Sequence, residues 1–461
     1  MSDETQETAR RAALVPETPM EAPVAAAEAA VEVAPQAKIH LTSAVGVKLA
    51  GSMFLHHVCL GSWMVTLGSY IQANTGASGR AMFAAGFVGV AYGAGPLGAM
   101  ISPALTGFLA DRHIAAERLM AVLNVLCAVA LWGAIAAPAQ AWFYLALCAY
   151  FMCFHPSMAL ATSMAMHHLQ RPERDYPAVR AGGTAGWIAG GLLVGLIWPA
   201  ATGQNIEPTN IPMKIGIVAS LATALYSLVL PHTPPAARSA GPREASAKGD
   251  MWRLATDGRF AALMALAFAA HIPSQFYYAY GNVYFNWVGM TAAAAKMTLG
   301  QCVEIAAMLL LPLVLLRMSV RAAIATGLTV WTLRFLMLAA STQPAGPGRN
   351  GLLYAAIMLH GVAYTMTTIS LQLDVDRCAG RMRRATAQGM FAVAVQGFGC
   401  FAGAQLAGAA GARWLPLDIA DATPAGWRTF WLLPAAGSAA TVVLTLFVLR
   451  PGRENTPKRG S

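Results

Sequence analysis

The stretch MTLGQCVEIAAMLLLPLVLL, from Met297 to Leu316, decides how this chain is read. It is apolar over the length a bilayer span needs, about 20 residues. Within it stand a carboxylate, Glu304, and an amide, Gln301, one helical turn earlier. An ionised carboxylate at that depth costs roughly 3 kcal/mol or more, and is tolerated where it faces a bundle interior or a watered cavity. Such a residue marks a pathway for a solute or a proton.

Composition agrees. Hydrophobic residues make up 57% of the 461 residues and charged residues 11%, against about 25% charged in soluble domains. One large helical bundle is expected. The formal charge of +10 is scattered through short loops without a continuous patch. That distribution fits a membrane surface and argues against a nucleic-acid partner. The seven cysteines lie mostly inside apolar runs without zinc-like spacing, as small buried hydrophobes do. No metal, cofactor or obligate protein partner is expected. No phosphate-binding glycine loop or nucleophile–base pair points to an enzyme.

Twelve apolar runs can be placed: 46–72, 81–110, 117–138, 141–168, 178–200, 211–231, 260–288, 295–316, 321–341, 351–373, 385–411 and 426–449. The fold class is therefore all-α integral membrane, with twelve transmembrane helices. Residues 1–43, rich in Ala, Glu and Pro, read as a disordered cytoplasmic tail, without a signal peptide's basic start and cleavage site. A first six-helix bundle spans 44–231, a basic linker 232–259, a second bundle 260–449 and a short tail 450–461. Loops after even-numbered runs carry Arg112, Arg118, Arg171, Arg174, Arg238, Arg243 and Lys248, whereas odd-numbered loops carry few, such as Arg80 and Lys214. The positive-inside rule then puts both termini in the cytoplasm.

The halves read as copies. GFLADRHIAAER (Gly107–Arg118) follows the second run, and LPLVLLRMSVR (Leu311–Arg321) is its eroded counterpart after the eighth. A 6+6 repeat with a basic loop between its second and third spans resembles the major facilitator superfamily, with Gly107, Asp111 and Arg112 standing as its Gly-x-x-x-Asp-Arg loop signature. Transporters of that superfamily bind substrate near the midplane, between two pseudo-symmetric bundles. Glycines at four-residue spacing (Gly182, Gly186, Gly190) and the pair Gly399 and Gly403 predict close helix packing.

Other polar groups fall inside spans. Arg180, Thr184 and Trp187 recur at helical spacing, on one face. The seventh run holds Gln275 and Tyr278; the tenth holds His360, Tyr364 and Thr365. Amides offer paired donors and acceptors, aromatic faces stack on heterocycles, and a carboxylate in low dielectric can exchange a proton near neutrality. Each has a plainer alternative. Glu304 can pair with Arg334 in the ninth span, the glutamines can join helices, and Arg180 can snorkel. Adjacent His56 and His57 cannot both face a cavity, and His155 before Pro156 reads as packing.

Longer words are more specific. LGSWMVTLGSY (Leu60–Tyr70), PAVRAGGTAGW (Pro177–Trp187), QFYYAY (Gln275–Tyr280), KMTLGQCVEIAAMLLLP (Lys296–Pro312) and VDRCAGRMRRATAQGMF (Val375–Phe391) resemble the nucleoside:H+ symporter family. The resemblance implies proton-coupled nucleoside uptake across a bacterial inner membrane. It implies substrate contacts at Arg180, Thr184, Trp187, Gln275, Tyr278, Gln301, Glu304, His360, Tyr364 and Thr365, and a loop role for Asp376. The chain departs from the family at Thr365, where relatives carry an aspartate tied to proton coupling. Thr365 cannot titrate, so Glu304 or His360 carries the proton, or coupling is altered or lost. A permease or exporter for another polar solute, and a non-transporting membrane sensor, are the rival readings.

Overall fold

The computed structural model describes residues 43–448 apart from 78, 111–113, 171, 235–250 and 344–345. The basic-loop residues Asp111 and Arg112 and the two terminal tails lie outside the described residues, while Gly107 sits within the second helix. The spans are α1 Ala44–Gly61, α2 Phe87–Ala110, α3 Ala116–Ala136, α4 Gln140–His168, α5 Asp175–Thr202, α6 Ile211–Ser227, α7 Gly258–Trp287, α8 Ala293–Leu315, α9 Val320–Ala340, α10 Gly348–Gly380, α11 Thr386–Trp414 and α12 Pro424–Phe447. Ten are long and apolar enough to cross a membrane; α2 and α6 complete the expected twelve. Trp132, Val218 and Leu309, each at least 66% exposed, show apolar side chains turned outward, as a lipid-facing surface requires.

Sequence dictates where the helices are interrupted. In α7, Pro273 has no N–H to give, and the helix breaks there before restarting at Ser274, whose hydroxyl donates to the His271 carbonyl at 2.7 Å. Gln275 follows directly. Among the described residues three π-helical turns occur, at Leu193–Ile197 in α5, Thr365–Ile369 in α10 and Val393–Gly399 in α11. Such bulges rotate the residues beyond them and often mark functional sites.

The two halves meet at the end opposite the 232–259 linker, called the far end below. Gly86 and Gly89 of the α2 approach pack against the backbone of Ala404 and Gly408 in α11. Gly191 and Gly195 of α5 pack against Thr298 and Ala295 of α8. A side chain at any of these glycines would hold the backbones apart. A shift of six spans turns α2 into α8 and α5 into α11, so the two seams exchange under the same operation. That is the signature of two pseudo-symmetric six-helix bundles. Ser69 adds a 2.6 Å hydrogen bond to Asn282 Oδ1 across the halves. Within the second half, Gly361 of α10 rests on the backbone of Glu304 in α8, and Gly300 rests against Ile357 and His360.

Gly361→Ala tests that contact. The added methyl has only backbone to push against, and overpacking of this kind costs about 1–3 kcal/mol. A lower thermal midpoint in detergent is expected; an unchanged one would show that α8 and α10 separate freely.

Candidate functional site

Of two adjoining cavities, one lies between the halves and the other is walled by second-half residues alone. The first holds about 260 Å³, and the second, nearer the linker end, about 190 Å³. Gln275, Tyr278, Gln396 and Cys400 line both, so they form one continuous cleft. The first half contributes an apolar and aromatic wall, including Met64, Tyr92, Phe151 and Trp187. The second half contributes the amides Gln275, Gln301 and Gln396 and the ring of Tyr278. Tyr364, Thr367 and Thr368 line the second cavity with His271, whose Nε2 lies 3.1 Å from the Thr368 hydroxyl. One wall can cover a flat ring while the other satisfies its polar edge.

The structure thus brings Trp187, Gln275, Tyr278, Gln301 and Tyr364 onto the cleft. Thr184, half-buried on α5 between Arg180 and Trp187, stands off both linings. Arg180 is exposed and its Nη1 donates to His57 Nε2 at 3.2 Å. A guanidinium only donates, so His57 accepts at Nε2 and gives its Nδ1 proton to the Met53 carbonyl, 2.8 Å away. Its neighbour His56 is buried and bonded to Ser157 Oγ at 2.7 Å, with Asn124 alongside. The adjacent histidines therefore divide into one core residue and one neighbour of Arg180.

Glu304 is half-buried on α8, one turn beyond the lining residues Ala294, Met297 and Gln301, and like Thr184 stands off both linings. The pairing with Arg334 considered above does not form. Among the described residues Glu304 has no cation within 4.0 Å, and the ionisable groups that feel its charge are Arg180, Tyr278 and Tyr364. Arg334 is fully buried elsewhere. Its Nε donates to the Ala356 carbonyl, and its guanidinium lies 3.5 Å from the Tyr277 ring centre and 4.8 Å from that of Trp331.

His360 and Thr365 sit behind the cleft and not on it, at 2% and 0% exposure. His360 stacks on Tyr277 at 5.4 Å and meets the edges of Tyr278 and Trp331 at 5.7 and 5.5 Å. Asp376 accepts from Gln388 Nε2 near the linker end of α10. Its neighbour Asp374 lies 3.4 Å from Arg259.

Sequence reasoning missed Gln396, for which an amide inside an apolar run was a legible signal. His155 is satisfied as a packing residue, its Nε2 on the Gly95 carbonyl at 3.1 Å and its ring stacked on Phe151, and it also lines the cleft. Among the described residues no group of His, Cys, Asp or Glu is arranged to hold a metal ion.

Fold and cleft define a membrane transporter of the major facilitator type. The profile of the nucleoside H+ symporter family matches residues 44–454, and the chain belongs to that family. The Escherichia coli (strain K12) protein YegT is 30% identical over 406 residues, 87% of this chain and 93% of the relative. Xanthosine permease of the same organism is 27% identical, covering 87% of this chain and 95% of that protein. The crystal structure of the nucleoside transporter NupG superposes with a TM-score of 0.77 at 24% identity, over 89% of this chain and 100% of NupG.

A carboxylate in a span without a counter-ion is a stability cost. Glu304→Gln should raise the thermal midpoint in detergent, by about 2–4 °C for each kcal/mol recovered. A lower midpoint would mean that the carboxylate has a partner in the resting protein.

Proposed function

We propose that this protein imports nucleosides across a bacterial inner membrane by proton symport. Its halves rock about the midplane cleft so that the cleft opens to one side at a time. The observation that carries the reading is Glu304, a carboxylate without a counter-ion within 4.0 Å among the described residues, one turn beyond Gln301 of a cleft of amides and aromatic rings. Family membership supports nucleoside and proton as the cargo. The lysine and arginine bias of the loops supports cytoplasmic termini.

In this reading Gln275 and Gln301 bond the base edge or ribose hydroxyls, and Trp187, Tyr278 or Tyr364 stack on the base. Of the two candidate proton carriers, Glu304 is the less buried; His360 is enclosed by rings and packs against Tyr277 and Tyr278. Arg180, whose charge reaches Glu304, stabilises the carboxylate between proton loads. Thr365 supports the π turn of α10 and moves no proton.

Uptake of labelled uridine and adenosine into proteoliposomes, with and without an inward proton gradient, tests the proposal. Gradient-dependent accumulation is expected, and signals equal to empty vesicles across a nucleoside panel would remove the substrate. Glu304→Gln should abolish accumulation while leaving nucleoside exchange measurable. Normal accumulation by that variant excludes Glu304 as the sole carrier. Trp187→Ala should weaken nucleoside binding by about 1–3 kcal/mol, the worth of one stacking face, as read by calorimetry.

A further inference from the structure

Glu207, in the loop between α5 and α6, is 1% exposed although it lies outside any span. The loop presents it rigidly. Gly203 ends α5 in the left-handed region at φ 72, and Asn205 Oδ1 accepts from the Glu207 amide at 3.1 Å. That Asx turn aims the side chain across to the other half. There Glu207 Oε2 accepts from Asn282 and Asn286 Nδ2, both at 2.8 Å, and Oε1 accepts from the Ala294 amide at 2.9 Å. All three donors belong to the second half, on α7 and α8.

The third bond is the telling one. Ala294 is in the first turn of α8, where backbone N–H groups have no partner within the helix. The residue at the cap position is Ala292, held at φ 55 and without a side chain able to cap. The opposite half supplies the missing cap, a carboxylate at the positive end of a helix dipole. That helix also carries Thr298 and Gln301 on the cleft, with Glu304 one turn beyond. Asn282 is tied in turn to Ser69 of the first half at 2.6 Å. The polar bonds therefore converge on one far-end corner, next to the α5–α8 glycine seam.

We propose that Glu207 is a positioning residue: it caps the site helix α8 from the opposite half and so latches the far end of the cleft shut. Opening the cleft to that side must break three hydrogen bonds and uncap α8. Closing it resets the register of Gln301 and Glu304. The link to transport rests on the function proposed above; the latch itself does not.

Amide hydrogen exchange on the full chain in lipid nanodiscs reads the latch without any substrate. In Glu207→Ala, exchange in the first turn of α8 and the last two turns of α7 should rise by about tenfold or more, the worth of a charge-assisted bond. Peptides at the linker end, around Gly258–Phe268, should not change. The pair Asn282→Ala and Asn286→Ala, which leaves Glu207 in place, should reproduce the α7 effect. Glu207→Gln keeps one acceptor for the Ala294 amide and should protect α8 partly. In proteoliposomes Glu207→Ala should cut net uptake more than tenfold while leaving the nucleoside dissociation constant within about threefold, since Glu207 does not line the cleft. Unchanged far-end exchange would overturn the latch. Faster exchange over the whole chain would overturn it as well, because Glu207 would then only support folding. Far-end exchange as expected in a protein that moves no nucleoside would keep the latch and remove the substrate assignment alone.

Discussion

A carboxylate inside an apolar span must be neutralised by a cation, carried in protonated form, or reached by water, and the architecture is organised around the absence of the first. Arg334, on α9 of the same half, is committed to aromatic faces and a carbonyl. Arg180, the cation that does reach Glu304 electrostatically, comes from the other half of the molecule. The balance of charge at Glu304 therefore depends on how the halves are disposed. In the proposed mechanism, such a dependence would couple a titrating group to a conformational change.

Arg334 meets a buried charge's problem differently, against aromatic faces. A guanidinium is weakly hydrated and flat, so it can lie against rings where an ammonium could not. Tyr277 and Trp331 flank it, and the same rings enclose His360. Tyr277 and Tyr278 are adjacent in α7 and serve different purposes: both line the cleft, while Tyr277 also covers Arg334. The tenth span thus presents Tyr364 to the cleft while His360 and Thr365 are packed behind it.

Much of this was legible beforehand. Twelve apolar runs give twelve helices because a bilayer leaves the backbone no other partner than itself. Gln275, Gln301 and Trp187 could be picked out because a polar or large aromatic residue at one position of an apolar helix has few reasons to be there. His155 could not, since its Gly95 partner is sixty residues distant in sequence. Nor could the fate of Arg334, which depended on whether α8 or α7 turned a face toward it. Glu207 drew no notice because an acid in a loop is ordinarily solvated; only the approach of α7 and α8 buries it.

Sequence alone determined the spans, their number, the repeat and the family, because these follow from hydrophobic length and local residue patterns that each segment carries by itself. Tertiary structure alone decided which polar side chains share water and which share a ring, because that depends on helix rotation and on glycine contacts between segments far apart in the chain. Glu304 stands half-buried one turn beyond the cleft residue Gln301, and Glu207 is closed into a seam, for that reason. The same residue type, separated by about a hundred positions, meets opposite surroundings because the two halves fold against each other around Glu207.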